Sequence, residues 1–333
     1  MNRASLKSLA ILTCLWVSTV ACARHPQPNA ARTVTIAQWG QEKYLIYLPV
    51  YVAMEKGLFA KRGLGIKLTF TGNDDATFAA VISGSAAFGV GDPTFTAISQ
   101  EKGFQGKVVA SIVDGVALWG VTNNPRVPVI DKPSQLANLR IGTFPPPSTT
   151  YTLIKQLIEE TPGLRGTRIV SAPIGSEVAL LQARKADIVM ELEPAASIAE
   201  SNGFRVVYSC PRFFGPFAFT GLTTTQTLIE REPDLIQRVV SSIQEAVVAS
   251  HRNPEIAMEV AKKLFPTLAG IVLEHAVNRM ISENTLPQSV AVSDEAWQKA
   301  LSARIAVGDL KRPQATNLAV DNTFSQRARD QVH

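Results

Sequence analysis

The chain has 333 residues, a formal net charge of +5, 46% hydrophobic and 18% charged residues, and three cysteines. This is the balance of a globular protein with room for two lobes of roughly 100–200 residues each. Its basic residues are scattered without a run of five, which speaks against a nucleic-acid-binding tract, and its cysteines are too few for a disulfide framework.

At the N-terminus, Arg3 and Lys7 precede an apolar stretch from Ser8 to Val20. That stretch is too short for a permanent membrane helix, which needs roughly 20 apolar residues, and residues 1–21 read as a secretory signal. Thr19-Val20-Ala21-Cys22 resembles a bacterial lipobox, in which the chain is cut before the cysteine and its thiol takes a diacylglycerol. Cys22 is therefore the expected lipidation site. Thr19 stands where such boxes usually have Leu, and cleavage at an ordinary Ala21-Cys22-Ala23 site is the alternative. Both routes put the protein outside the cytoplasm. Residues 22–32, polar and Pro-containing, read as a flexible tether.

From Thr33 the pattern becomes regular. Strands are expected at 33–39, 66–70, 87–90 and 107–113, alternating with helices at 48–61, 73–82 and 94–101. Such units predict a parallel sheet covered by helices. The run repeats with strands at 140–143, 168–172, 187–190 and 205–208 and helices at 149–160, 176–184 and 193–202. Beyond Thr224 only helices are expected, at 225–230, 233–251, 254–264, 268–281 and 294–307. Two short apolar strands, 116–121 and 217–222, fall at the borders and read as crossovers forming a hinge. The predicted architecture is α/β and two-lobed, with 33–117 plus 219–333 as lobe one and 118–218 as lobe two. The C-terminal helices are expected on lobe one. Lys311-Arg312 and the Arg327 and Arg329 tail read as solvated charge.

Several segments carry a family resemblance. Pro49-Val50-Tyr51-Val52-Ala53-Met54-Glu55-Lys56-Gly57-Leu58-Phe59, followed by Gly63-Leu64, is similar to the opening of solute-binding proteins of ABC transporters, in the group that binds nitrate, sulfonates, taurine and thiamine pyrimidines. Ile82 to Val90, Leu136 to Gly142, Ala183 to Ile188, Glu193-Pro194 and Ile229 to Ile236 resemble later segments of that group in the same order. The resemblance spans roughly residues 33–265. It implies a type II periplasmic-binding fold, a small organic solute held between lobes, and delivery to a membrane permease. It implies no cofactor or metal, and a monomer anchored through a lipid. An aliphatic sulfonate or taurine-like solute is one expectation; a thiamine-pyrimidine precursor, or a periplasmic sensor role, is the alternative. The pyrimidine synthases that share this fold carry a Cys-rich segment absent here. Cys210, next to Pro211, reads as a small structural thiol rather than a nucleophile, so no enzyme is expected.

In open parallel sheets ligands bind beyond the carboxyl ends of the strands. The loops there supply the candidates Trp39, Gly40, Tyr44, Asn73, Asp92, Thr94, Ser148, Thr149, Thr150 and Glu193, with Trp119 added from the crossover. Ser148-Thr149-Thr150 stand where a helix begins and suit an anion, although Ser148 also suits a plain N-cap. Trp39 suits a planar ligand or a cation. Glu193 suits either a ligand amine or the helix start that follows it.

Overall fold

The computed structural model describes residues 31–332. The expected signal, Cys22 and the expected tether through residue 30 lie outside the described residues. Arg32 already pairs with Leu64 in the first sheet, so the expected tether gives up its last residue to a strand.

Strands β1 (Arg32–Gln38), β2 (Leu64–Phe70), β3 (Phe88–Gly91) and β4 (Gly106–Asp114) alternate with helices α1 (Leu48–Glu55), α2 (Asp74–Ile82) and α3 (Thr94–Gln100). There follow β5 (Trp119–Thr122), β6 (Arg140–Thr143), α4 (Thr149–Glu160), β7 (Arg168–Ser171), α5 (Glu177–Gln182), β8 (Ile188–Glu191), α6 (Ala195–Ser201), β9 (Arg205–Ser209), α7 (Cys210–Phe214) and β10 (Ala218–Thr225). The remainder is helical: α8 (Gln226–Arg231), α9 (Pro233–Arg252), α10 (Pro254–Leu264), α11 (Gly270–Ser282), α12 (Asp294–Ala306), α13 (Thr316–Ala319) and α14 (Thr323–Gln331).

The strands form two five-stranded sheets, ordered β2-β1-β3-β10-β4 and β7-β6-β8-β5-β9. In each, one strand runs against the others: β10 is antiparallel to β3 and β4, and β5 is antiparallel to β8 and β9. These are the two segments expected as hinge strands, and each belongs to a sheet. The reason is the entry point. The chain leaves β4 at its carboxyl end and crosses without a helix, so it meets the second sheet at the carboxyl ends of its strands. Trp119, at the start of β5, pairs with Glu191, at the end of β8. A parallel strand would have needed a crossover of a dozen or more residues. The return is symmetrical, since Ala218 at the start of β10 pairs with Asp114 at the end of β4. The crossings themselves, at 115–118 and 215–217, lie side by side, and the Gly115 N–H donates to the Phe217 carbonyl at 2.9 Å.

Helix α1 is buried from Leu48 to Ala53. It packs against α9, whose Leu235, Ile236, Val239, Val240, Ile243 and Val247 recur at helical spacing and are buried. Each such side chain contributes about 1.5–3 kcal/mol on burial. Helices α8 to α10 lie on the first lobe. Helices α11 and α12 depart from the expectation, because α11 packs on α6 and α12 on α4 of the second lobe as well. Charge explains this below. The tail forms a helix that was not expected: α14 buries Phe324, Ser325 and Ala328 against α9, while Arg327 and Arg329 stay exposed on its outer face, as solvated charge should.

Candidate functional site

The carboxyl ends of both sheets face one interlobe cleft of about 950 Å³, with a small pocket of about 30 Å³ at its floor. Of the expected residues, Trp39, Tyr44, Asn73, Ser148 and Glu193 line the cleft, and Trp39, Asp92, Ser148, Thr149 and Thr150 line the floor pocket. Gly40, Thr94 and Trp119 line neither.

The cleft walls are aromatic. Trp39 of the first lobe lies 5.0 Å from Tyr44 and 6.1 Å from Phe144 of the second, between ring centroids. Gly40 serves this wall from behind. Its φ of +89° is left-handed, and a Cβ there would fall 2.3 Å from the Tyr44 ring. Only glycine lets that ring lie across the turn. Trp119 is fully buried at the crossing, where its Nε1 donates to Glu283 at 2.8 Å. It is a strut of the crossing, and the expectation of a pocket wall does not match its position.

The expected anion site is already engaged. Ser148 caps α4, accepting from the Tyr151 N–H at 3.3 Å and donating to the Phe144 carbonyl. The Thr149 hydroxyl donates to Asp92 across the lobes. Asp92 also accepts from the Thr94 N–H at 2.8 Å and from Arg304 Nη2 at 2.6 Å. Thr94 in turn accepts from Arg304 Nε at 3.1 Å, so it supports Asp92. Arg304 is only 1% exposed and reaches the second lobe through the Pro147 carbonyl and the Thr152 hydroxyl. Asn73 caps α2, accepting from the Ala76 N–H at 2.8 Å.

Glu193 is likewise spent. It is fully buried, paired with Arg279 of α11, and bonded to the Ser197 N–H and hydroxyl. Arg279 also holds Glu200. A buried carboxylate requires such partners; α11 delivers them to Glu193, which draws it onto the second lobe, while α12 reaches that lobe through the Arg304 bonds to the Pro147 carbonyl and the Thr152 hydroxyl.

Three acidic residues absent from the candidates matter more. Asp74 lines cleft and floor, accepts from the Asp92 N–H at 2.7 Å, and is pushed up to about 7 by burial with the Asp92 charge adding to it. Gly91 makes room, since a Cβ there would lie 2.7 Å from Asp74 Oδ1. Glu191 lines the cleft, is 3% exposed, and is pushed well above the usual carboxylate range by burial and by the Glu177 and Glu193 charges. Glu177, fully buried, is pushed up to about 7 by burial. The available signal was position: Glu191 ends a strand one residue before the loop begins, and Glu177 opens a helix at the neighbouring strand end. Among the described residues Lys43 is the one basic residue lining the cleft, against Glu42, Asp74, Asp75, Glu191 and Glu193. Cys210 is buried, and its thiol is pushed up by burial, away from a reactive thiolate.

The two sheets and the cleft between them have the two-lobed type II periplasmic-binding-protein fold. Residues 46–257 match the family model described as NMT1/THI5 like, and the chain belongs to that family. It is 21% identical over 294 residues to the riboflavin-binding protein RibY of Chloroflexus aurantiacus, covering 85% of this chain and 79% of that protein. Among solved structures, it resembles the ligand-binding component of an ABC-type import system from Staphylococcus aureus, with TM-score 0.73, 13% identity and coverage of 89% and 99% of the two chains. It also resembles the periplasmic aliphatic sulphonate binding protein SsuA of Escherichia coli, with TM-score 0.68, 15% identity and coverage of 87% and 92%. The same fold occurs in the desulfurization enzyme DSZB, with TM-score 0.64, 13% identity and coverage of 90% and 99%.

Proposed function

We propose that this protein is the extracytoplasmic solute-binding component of an ABC importer, and that its solute is a flat, donor-bearing heterocycle. The observation that carries this reading is the aromatic wall of Trp39, Tyr44 and Phe144, drawn from both lobes around a cleft rich in carboxylates. Aromatic faces take planar ligands by stacking, and carboxylates accept from ring N–H and amino groups. RibY, named for a heterocycle of this kind, supports the reading, as does the thiamine-pyrimidine alternative raised by the sequence. The start of α4 on the floor pocket favours a second reading, a sulfonate or taurine-like zwitterion, to which the sulphonate-binding likeness lends its fold alone. Asp74 and Asp92 beside that helix start weigh against a bare anion.

The test is a thermal-shift series with riboflavin, thiamine, an aminopyrimidine, taurine and an alkanesulfonate. Stabilisation follows mass action, about 2.7 kcal/mol at a hundredfold excess over Kd. Stabilisation by taurine or the sulfonate, with none by the heterocycles, overturns the first reading in favour of the second.

Export and anchoring belong to the same proposal. Among the described residues no helix is long and apolar enough to cross a membrane, so attachment would rest on a diacylglycerol at Cys22. Cys22→Ser should move the protein from the membrane to the soluble fraction; unchanged fractionation would refute the anchor. Working as a monomer, the loaded protein would present both lobes to its permease. The rival reading as an enzyme finds no support in Cys210, which lacks the exposure a nucleophile needs.

A further inference from the structure

Glu191 differs from Asp74, Asp92 and Glu193, the other acids set into the cleft and its floor. Asp92 and Glu193 are each met by an arginine, and Asp74 by a backbone N–H. No described side chain or backbone group donates a hydrogen bond to the Glu191 carboxylate, yet it is only 3% exposed and lines the cleft. Behind it, Glu177 accepts from the Gly175 N–H through Oε2 at 2.8 Å, while its buried Oε1 has no partner. Strand geometry brings the two together. Gly142 of β6 sits against Val189 and against Leu180 of α5, so the face carrying Val189 and Glu191 is the one covered by α5, which Glu177 opens. The charges of both act on the Tyr44 hydroxyl at the aromatic wall.

A buried carboxylate without a donor is costly, and the cost is recovered when a ligand supplies the missing donors. Neither buried arginine is free to do so: Arg279 is held by Glu193 and Glu200, and Arg304 by Asp92 and Asp309. Among the described residues no group of three or more His, Cys, Asp or Glu is set to hold a metal ion. An anion would be repelled here.

We propose that Glu191, backed by Glu177, is the subsite for a planar cationic nitrogen group of the ligand, an amidinium or a protonated aminoheterocycle, and that it selects against anionic solutes. This rests on the reading of the cleft as the solute site. Two parallel N–H donors on such a group match the two oxygens of one carboxylate, the strongest pairing available to it.

The test uses benzamidine, its neutral isostere benzamide, and benzenesulfonate, titrated into the purified full chain with calorimetry and Trp39 fluorescence. The wild type should bind benzamidine at least tenfold more tightly than benzamide, with no measurable binding of benzenesulfonate. Glu191→Gln should bring the first two within twofold of each other, while its melting temperature stays at or above that of the wild type. Equal binding of benzamidine and benzamide by the wild type, or a preference that survives Glu191→Gln, overturns the subsite. If the probes still quench a signal that Trp39→Phe removes, the cleft reading stands while the subsite falls. If no probe alters that signal, both fall.

Discussion

Arg304 donates to Asp92 at 2.6 Å, and the same guanidinium bonds the Pro147 carbonyl and the Thr152 hydroxyl on the opposite lobe. Asp92 closes the loop by accepting from Thr149, also of the second lobe. One ion pair under the floor pocket therefore ties both lobes. Arg304→Met should cost about 3–5 kcal/mol, because it strands a buried carboxylate. In urea unfolding, the double variant Arg304→Met/Asp92→Asn should lose less than the sum of the singles. Additive losses would mean the pair does not act as a unit.

Thr149→Val removes the interlobe bond to Asp92 and leaves the α4 cap intact. It should cost about 1.5–3 kcal/mol, the range for a hydrogen bond to a charged group. Ser148→Ala should cost about 1 kcal/mol through the lost cap. If ligand affinity falls with Thr149→Val at matched stability, as measured by titration calorimetry, lobe closure depends on that hydroxyl. If it falls only with Ser148→Ala, the helix start itself meets the ligand.

Gly40→Ala places a methyl group where the Tyr44 ring lies and forces a residue into left-handed backbone. The expected result is at least a tenfold loss of affinity for any flat ligand stabilising the wild type in thermal shift, with the fold retained by circular dichroism. Unchanged affinity would remove Tyr44 from the aromatic wall.

Stability should depend on pH in a defined direction. Glu177 and Asp74 are both held at about 7 in the folded protein, against ordinary values of 4.5 and 3.8. Between those limits the folded chain keeps protons that the unfolded chain releases. Stability therefore falls as pH rises from about 4 to 7 and then levels off. Asp187, Glu232 and Glu245, whose partners hold them below the usual range, act in the opposite sense in more acid solution. The melting temperature should be higher at pH 5 than at pH 8, and Glu177→Gln should narrow the difference. A wild type more stable at pH 8 would contradict this origin.

Much of the architecture was legible because alternation and helical spacing are local properties. The β1 and β2 strands and the α9 stripe lie where the apolar pattern sets them. The site was legible in part, because strand ends can be read in order. Trp39, Tyr44 and Ser148 follow from that rule. Its partners do not: Arg304 stands 212 residues from Asp92, and Arg279 stands 86 from Glu193. No local pattern announces a pairing at that range. The sequence consequently favoured Glu193 over Glu191, although the neighbour two residues earlier is the one left without a donor. Trp119 was misplaced for a similar reason, since Glu283, its partner, arrives from the end of a distant helix. Helix α7 was not among the expected helices, although Pro in a first turn behind the Ser209 cap is a helix start.

The Gly115–Phe217 hydrogen bond joins the outgoing and returning chain at a single seam. Everything between, from β5 to α7, is thus one uninterrupted cassette set into the first lobe at adjacent points. Glu177, Glu191 and Phe144 all ride on that cassette, whereas Trp39, Tyr44 and Asp74 belong to its host. Exchanging the cassette between relatives at this seam would transplant half of a recognition surface in one graft, and the host would keep the other half in register.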